Sequence, residues 1–251
     1  MSLSDAELER YARQIVLPRF GGVGQNKLKA ASVAVIGAGG IGSGAIPALA
    51  AAGIGKLTIV DNDVVDRSNL QRQPIFRDDQ VGGGKATLAA AFALAINPYV
   101  EAVPRGRRID AGNAQELLGG HDLVIDGSDN FATRLAVSDA CVGLGIPLVS
   151  AAAVQFQGQV ALFRGRPCFR CFVGDAFDSD ECDNCAELGV LGALPLTIGG
   201  FAALLAIRAI AGMGEDSGTL HLLDADSLGW RAIRLPADPG CRTCAAPRQS
   251  G

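Results

Sequence analysis

Residues 32–42, Ser-Val-Ala-Val-Ile-Gly-Ala-Gly-Gly-Ile-Gly, decide the fold. The first six, Ser32 to Gly37, form a short apolar run of the kind buried on both faces of a parallel sheet. Gly37-Ala38-Gly39-Gly40-Ile41-Gly42 then fits G-x-G-x-x-G and opens an Ala-rich helix expected through about Ala52. Glycine lets the backbone approach a phosphate, whose charge is favoured at a helix N-terminus. Asp61 ends the next expected strand, residues 57–61, where a carboxylate can accept hydrogen bonds from a ribose. The default reading of these residues alone is an NAD dehydrogenase. They identify a nucleotide and leave the chemistry open.

Outward from this unit the rhythm continues. Upstream, Ser4 and Glu7 form an S-x-x-E capping box ahead of Leu8, Tyr11 and Ile15, which predicts an opening helix. Downstream, helices are expected over 85–96 and 131–144, and strands over 101–107, 123–126 and 147–152. Strands alternating with helices at this spacing predict an α/β fold, a Rossmann-like mostly parallel sheet with helices on both faces. After Ala153 the pattern changes to strands over 157–163 and 219–223 with a helix over 200–213 between them. A polar loop over 174–185 carries Asp175, Asp178, Asp180, Glu181 and Asp183 and reads as a solvated, mobile surface loop. The tail after Ala245 is expected to fray.

Composition limits the function classes. Lys+Arg 22 against Asp+Glu 26 gives a net charge of −4, which argues against nucleic acid or an anionic membrane as partner. A hydrophobic share of 49% supplies a core for 251 residues, so global disorder is excluded. Gly 33 is close to twice the usual share of about 7%, which suggests glycine at backbone-critical turns. The N-terminus has early acidic residues and no apolar signal core, so a cytoplasmic location is expected. Residues 188–207 are uncharged for long enough to span a bilayer, but Pro195 and Gly199-Gly200 interrupt them. We read a loop followed by a buried helix, with a membrane span as the lesser alternative.

Three constellations carry chemistry. Residues 68–73, Ser-Asn-Leu-Gln-Arg-Gln, place Asn69, Gln71, Arg72 and Gln73 just after the ribose carboxylate. With Lys85, which follows Gly82-Gly83-Gly84, Arg72 could neutralise a triphosphate; a solvated Arg and Lys on a surface loop is the alternative. Asp126-Gly127-Ser128-Asp129-Asn130 caps the fourth strand, where open α/β sheets bind ligands. Asp129 is a candidate Mg²⁺ ligand, and helix capping is the alternative for Ser128 through Asn130. The third constellation is cysteine. Cys168-x-x-Cys171, Cys182-x-x-Cys185 and Cys241-x-x-Cys244 point to metal or catalysis in a reducing compartment. On spacing alone any two knuckles could pair. Cys141 reads as a buried small hydrophobe, and His121 and His221 as structural residues.

These residues resemble the MoeB/ThiF family, relatives of the ubiquitin-activating enzymes that adenylate the C-terminal glycine of small ubiquitin-like sulfur carriers. The likeness covers roughly residues 6–244. No attached rhodanese domain is expected after it. It rests on Arg13-Gln14, Gly37 to Gly42, Asp61, Ser68 to Gln73, Lys85, Asp129-Asn130 and the knuckles Cys168/Cys171 and Cys241/Cys244. Ser68 to Gln73 is the part that a dehydrogenase does not share.

The resemblance implies a single adenylation domain over 1–251, with a nucleotide-binding part at about 1–153 and a carrier- and zinc-binding part at about 154–244. Gly39 and Gly40 would face ATP and Asp61 would hold its ribose. Asn69, Arg72 and Lys85 would bind phosphates, with Ser68, Leu70, Gln71 and Asn130 beside them, and Asp129 would organise Mg²⁺. Arg13 would reach the triphosphate of a neighbouring subunit, which implies a homodimer. Cys168, Cys171, Cys241 and Cys244 match structural zinc ligands. Cys185 matches a crossover-loop cysteine that forms a thioester or persulfide in some members. Cys182 departs from that pattern, which leaves the duty of Cys185 open.

The implied reaction is attack of a carrier carboxylate on the α-phosphorus of ATP with loss of pyrophosphate. A narrow channel would select a Gly-Gly tail by excluding side chains. Activation of the molybdopterin-synthase carrier is the first reading and of the thiamine-pathway carrier the alternative. An NAD(P)-dependent oxidoreductase would need an acid/base and a nicotinamide pocket after Ala153, and neither is found. Asp61, Arg72, Lys85 and Asp129 argue against a third class, a non-catalytic zinc module.

Overall fold

The computed structural model describes residues 3–174, 189–214 and 216–245. Cys182, Cys185 and the acidic residues of the expected loop lie outside these. A single eight-stranded sheet organises the chain. Its strands are β1 Ser32–Ile36, β2 Lys56–Val60, β3 Glu101–Arg105 and β4 Leu123–Asp126, then β5 Leu148–Val154, β6 Gln157–Phe163, β7 Thr219–Asp224 and β8 Gly229–Arg234. They are ordered β3-β2-β1-β4-β5-β6-β7-β8, parallel from β3 to β5 and antiparallel from there on. The expected mostly parallel sheet with added C-terminal strands is therefore present.

Strand alternation builds two cores. Val33 and Val35 point to one face, where they join Leu28, Ile46, Leu49, Ala89 and Ile198. Ala34 and Ile36 point to the other, toward Leu118, Leu135, Ala140 and Phe169. The first layer consists of α2 Gly21–Ala30, α3 Gly40–Ala52, α4 Lys85–Ile96 and α8 Ala193–Ala211. The second consists of α5 Ala114–Leu118, α6 Phe131–Leu144 and α7 Phe169–Val173. Each fully buried Leu, Ile or Val contributes about 1.5–3 kcal/mol, so both layers are strongly held. The opening helix, α1 Asp5–Ile15, begins with the capping box read from Ser4 and Glu7.

Three differences from the sequence reading have physical causes. The long helix starts at Ala193 and not near 200. Pro195 lies in its first turn, where a missing N–H breaks no helical bond, and Gly199 lies inside it because α3 crosses there. This α8 is long and apolar enough to cross a membrane, but it packs into the core against α3, β5 and β6. The strand expected over 101–107 stops at Arg105. It is a sheet edge, which also accommodates Pro104. At the opposite edge β8 is exposed on all of its residues, and the sequence reading missed it because no apolar alternation marks it.

Candidate active site and metal centre

The strand order reverses between β1 and β4, and open α/β sheets place their ligand crevice at the carboxyl ends of such a switch point. Gly37 follows β1 with φ 87°, a conformation that favours glycine, and a Cβ on it would lie 3.2 Å from the Gly127 carbonyl oxygen beyond β4. A Cβ on Gly42 would strike the Gly37 carbonyl, so this turn admits no side chain at either position. Gly39 caps α3 and Gly40 begins it, which leaves their N–H groups aimed at the crevice.

Asp61 follows β2 beside this turn. Its Oδ2 accepts from the Ala38 N–H at 2.7 Å and its Oδ1 from the Asp63 N–H at 2.8 Å. Burial pushes its pKa above the ordinary 3.8 and outweighs the two N–H donors and the nearby Lys85 charge. Both carboxylate oxygens keep lone pairs for ribose hydroxyls.

Residues 66–73 fold into a tight turn whose side chains are partly committed to its own backbone. Asp66 accepts from the Ser68 N–H at 2.7 Å, and the Asn69 Oδ1 accepts from the Asp66 N–H at 3.4 Å. Leu70 packs against the core. Gln71 lies against Gly192, where a Cβ would come within 2.5 Å of the Gln71 side-chain oxygen. Arg72 is half-buried, and its Nη1 donates to the Ser68 carbonyl at 3.1 Å. Gln73 is buried, and its Nε2 lies 3.5 Å from the position of a Cβ on Gly39, directly beside the glycine turn.

Lys85 opens α4 and is buried, with Nζ 3.2 Å from the Asp63 carboxylate. A solvated surface lysine is therefore the wrong description. Asp63 was not found from sequence, because an acid two residues beyond a strand end has no distinguishing pattern. Beyond β4, Asp129 is exposed and Asn130 caps α6 through the Thr133 N–H at 3.0 Å. The capping alternative thus holds for Asn130. Asp129 offers its carboxylate to solvent at the carboxyl edge.

The sequence also gave no sign of the buried pair below this loop. Asp126 accepts from the Ser128 N–H and hydroxyl at 3.0 and 2.7 Å, and its Oδ2 stands 3.9 Å from the Arg134 Nε. Burial pushes the Asp126 pKa up against the pull of Arg134 and Ser128. Arg134 donates to the Ser150 hydroxyl at 2.7 Å.

Arg13 lies elsewhere. It is exposed on α1, whose neighbouring Gln14 and Tyr11 bond to the Ala52 carbonyl and to Asn97, at the C-terminal ends of α3 and α4. That is the end of the fold opposite the glycine turn.

The metal centre brings together Cys168, Cys171, Cys241 and Cys244, whose sulfurs all lie within 4.8 Å of one another. Neighbouring sulfurs are 3.3, 3.6 and 4.0 Å apart, against the about 3.8 Å edge of a tetrahedron with Zn–S bonds near 2.3 Å. Four thiolates at tetrahedral spacing fit zinc. Burial raises the Cys168 pKa, and it raises that of Cys244 to about 11. At Cys241 burial acts upward too, but the Cys244 and Thr243 N–H groups outweigh it and lower the pKa to about 7. Cys141 is buried outside the cluster with its pKa pushed up to about 12, the inert hydrophobe expected. His121 bridges the Leu118 carbonyl and Thr58 hydroxyl, which is a structural role.

Comparison with known proteins follows this geometry. Residues 11–243 match the ThiF family. The chain is 42% identical over 246 residues to the SAMP-activating enzyme E1 of Haloferax volcanii, covering 97% of this chain and 91% of that protein. It is 41% identical over 252 residues to the sulfur carrier protein adenylyltransferase of Thermus thermophilus, covering 97% and 93%. Against the adenylyltransferase and sulfurtransferase MOCS3 of Bos taurus it is 43% identical over 247 residues, which is 97% of this chain and 54% of that one. Among solved structures, E. coli MccB with ATP superposes with a TM-score of 0.84 at 22% identity, covering 96% and 75%. That last likeness concerns the fold alone.

Proposed function

The chain belongs to the ThiF family and is a nucleotidyltransferase, and we propose that it adenylates the C-terminal glycine of a small ubiquitin-like sulfur-carrier protein. The observation that supports this reading is the glycine turn that opens α3, with Asp61 bonded to its Ala38 N–H and the buried Lys85 paired to Asp63 just beyond the same strand end.

Asp61 holds the ribose, which fixes the nucleotide relative to the sheet. The N–H groups at the start of α3, with Arg72 and Lys85, take the triphosphate and stabilise charge that moves onto the departing pyrophosphate. The carrier's carboxylate oxygen attacks the α-phosphorus, the bond to the β-phosphate bridging oxygen breaks, and an acyl-adenylate forms. Two anions must meet for this, so positioning and charge neutralisation are most of the catalysis. Asp129 is the residue suited to hold Mg²⁺, which when bound neutralises triphosphate charge. Asn69 and Ser68 shape the phosphate side of the site, and Gln71 forms its wall against Gly192. Cys168, Cys171, Cys241 and Cys244 hold a structural zinc that ties the segment after β6 to the C-terminal part.

A homodimer is part of the reading. Its support is the position of Arg13 at the far end of the fold, from which it serves no site in its own subunit. The first candidate carrier is that of molybdopterin synthase and the thiamine-pathway carrier is the alternative, since the site residues do not separate the two. ATP–pyrophosphate exchange with each purified carrier tests both. Exchange that depends on a carrier with an intact Gly-Gly terminus is expected. No exchange with any carrier, together with tight NAD binding, would defeat the reading.

A further inference from the structure

The two metal-binding knuckles converge on one carboxylate that belongs to neither. Arg170 sits between Cys168 and Cys171, and its Nε donates to the Asp139 Oδ1 at 2.9 Å and Oδ2 at 3.1 Å. Its Nη2 donates to Oδ2 at 2.8 Å. Thr243 sits between Cys241 and Cys244, and its hydroxyl donates to the Asp139 Oδ1 at 2.8 Å. Each C-x-x-C loop therefore sends one side chain to the same group on α6. A second contact seats the first knuckle on this helix, since the Arg134 guanidinium lies 5.0 Å over the ring of Phe169, next to Cys168.

We propose that Asp139 is a positioning residue of the metal centre, a clip that joins the two knuckles from behind and holds their sulfurs at metal-binding distance. The inference rests on the zinc reading of the four cysteines. The knuckles are far apart in sequence, and their approach costs loop-closure entropy. A two-pronged pair between the buried Arg170 and the partly exposed Asp139, with a hydroxyl bond, places both loops before the metal arrives, so less of its binding energy goes into ordering them. Groups bonded directly to metal ligands typically govern metal affinity by about 10–100-fold, and Asp139 acts one step further out, through Arg170 and Thr243.

The test follows zinc release from the metal-loaded full chain to an excess of chromogenic chelator. Asp139→Ala is expected to release zinc about 10–100-fold faster than wild type. Asp139→Asn, which keeps an acceptor for Thr243 but loses the charge facing Arg170, and Thr243→Val should fall between. Asp216→Asn is the control, because it breaks a comparable pair with Arg208 (2.9 Å) outside the knuckles and should release at the wild-type rate. In cobalt-substituted protein the visible bands of the thiolate site should shift in Asp139→Ala and stay fixed in Asp216→Asn. Wild-type release from the Asp139 and Thr243 variants, or equal acceleration by Asp216→Asn, overturns the proposal. Wild-type protein without stoichiometric zinc would instead overturn the metal reading beneath it.

Discussion

Gly44 of α3 and Gly199 of α8 meet backbone to backbone: a Cβ on Gly199 would lie 3.0 Å from the Gly44 Cα. The same crossing sets the height of the glycine turn proposed to bind phosphate, because α3 begins at Gly40 and Pro195 of α8 lies against that residue. Small residues here serve the approach of two helices, and the approach serves the site.

Gly199→Ala should therefore destabilise the protein and loosen ATP together. Its Cβ would be driven onto the Ile41 carbonyl and force the helices apart. Overpacking of this kind costs about 1–3 kcal/mol, or about 2–10 °C in melting temperature for a chain of this size. Gly200→Ala is the companion variant, since a Cβ there meets nothing within 4 Å and alanine favours a helix by up to about 1 kcal/mol. Thermal melts and ATP calorimetry on both decide it. Equal behaviour of the two variants would contradict the crossing.

The cation proposed to meet the phosphates, Lys85, is open to a direct test. Lys85 is buried and its ion-pair partner Asp63 is largely exposed, so Lys85→Met leaves that partner in water. Loss of a charge-assisted hydrogen bond of about 1.5–3 kcal/mol should weaken ATP roughly 10- to 100-fold, with little change in melting temperature. Asp63→Asn frees Lys85 for the triphosphate and should weaken ATP far less. Calorimetry that ranks these two the other way would remove Lys85 from the site.

Much of this was legible in the sequence, and the failures are informative. Buried parallel strands and the glycine turn are short-range patterns, so β1, β4, α4 and α6 lie where periodicity and caps place them. The start of α8 was misplaced because Pro195 and Gly199 break helices in general, and only the first-turn position of one and the α3 contact of the other permit them here. Spacing left three C-x-x-C pairs open. The fold brings Cys168, Cys171, Cys241 and Cys244 together, and Asp139 and Asp63 become visible only through such long-range contacts. A residue whose role is set by a partner far away in sequence leaves no local mark.

The N-terminal helix is pinned by Glu7, which gives a pH test. Its Oε2 accepts from the Ser4 N–H at 2.8 Å, the Ser4 hydroxyl at 2.9 Å and Lys29 at 2.7 Å. Burial pulls its pKa up, but these donors outweigh it and hold the value below the ordinary 4.5. The pair's stabilisation is therefore complete above about pH 4.5 and is lost as pH falls through the lowered folded value. Glu7→Gln should be less stable than wild type at neutral pH, and the difference should shrink in acid. A stability gap that stays constant from pH 7 to pH 3 would mean Glu7 contributes by shape alone.

Arg13 gives the sharpest test of a shared site. Gln14 and Tyr11 anchor α1 at the C-terminal ends of α3 and α4, so the exposed Arg13 guanidinium stands at the end of the fold away from Asp61 and Lys85. If it acts on ATP, it acts on a second copy's ATP. Arg13→Ala and Asp129→Ala should then each abolish pyrophosphate exchange alone. In a mixed dimer one site combines the intact Asp129 of the first subunit with the intact Arg13 of the second. Random reassortment of the two variants should therefore restore up to about a quarter of wild-type exchange, half of the dimers being mixed and each having one complete site. Activity that stays at zero after verified subunit exchange would show that Arg13 does not reach across, and the dimeric site would have to be abandoned.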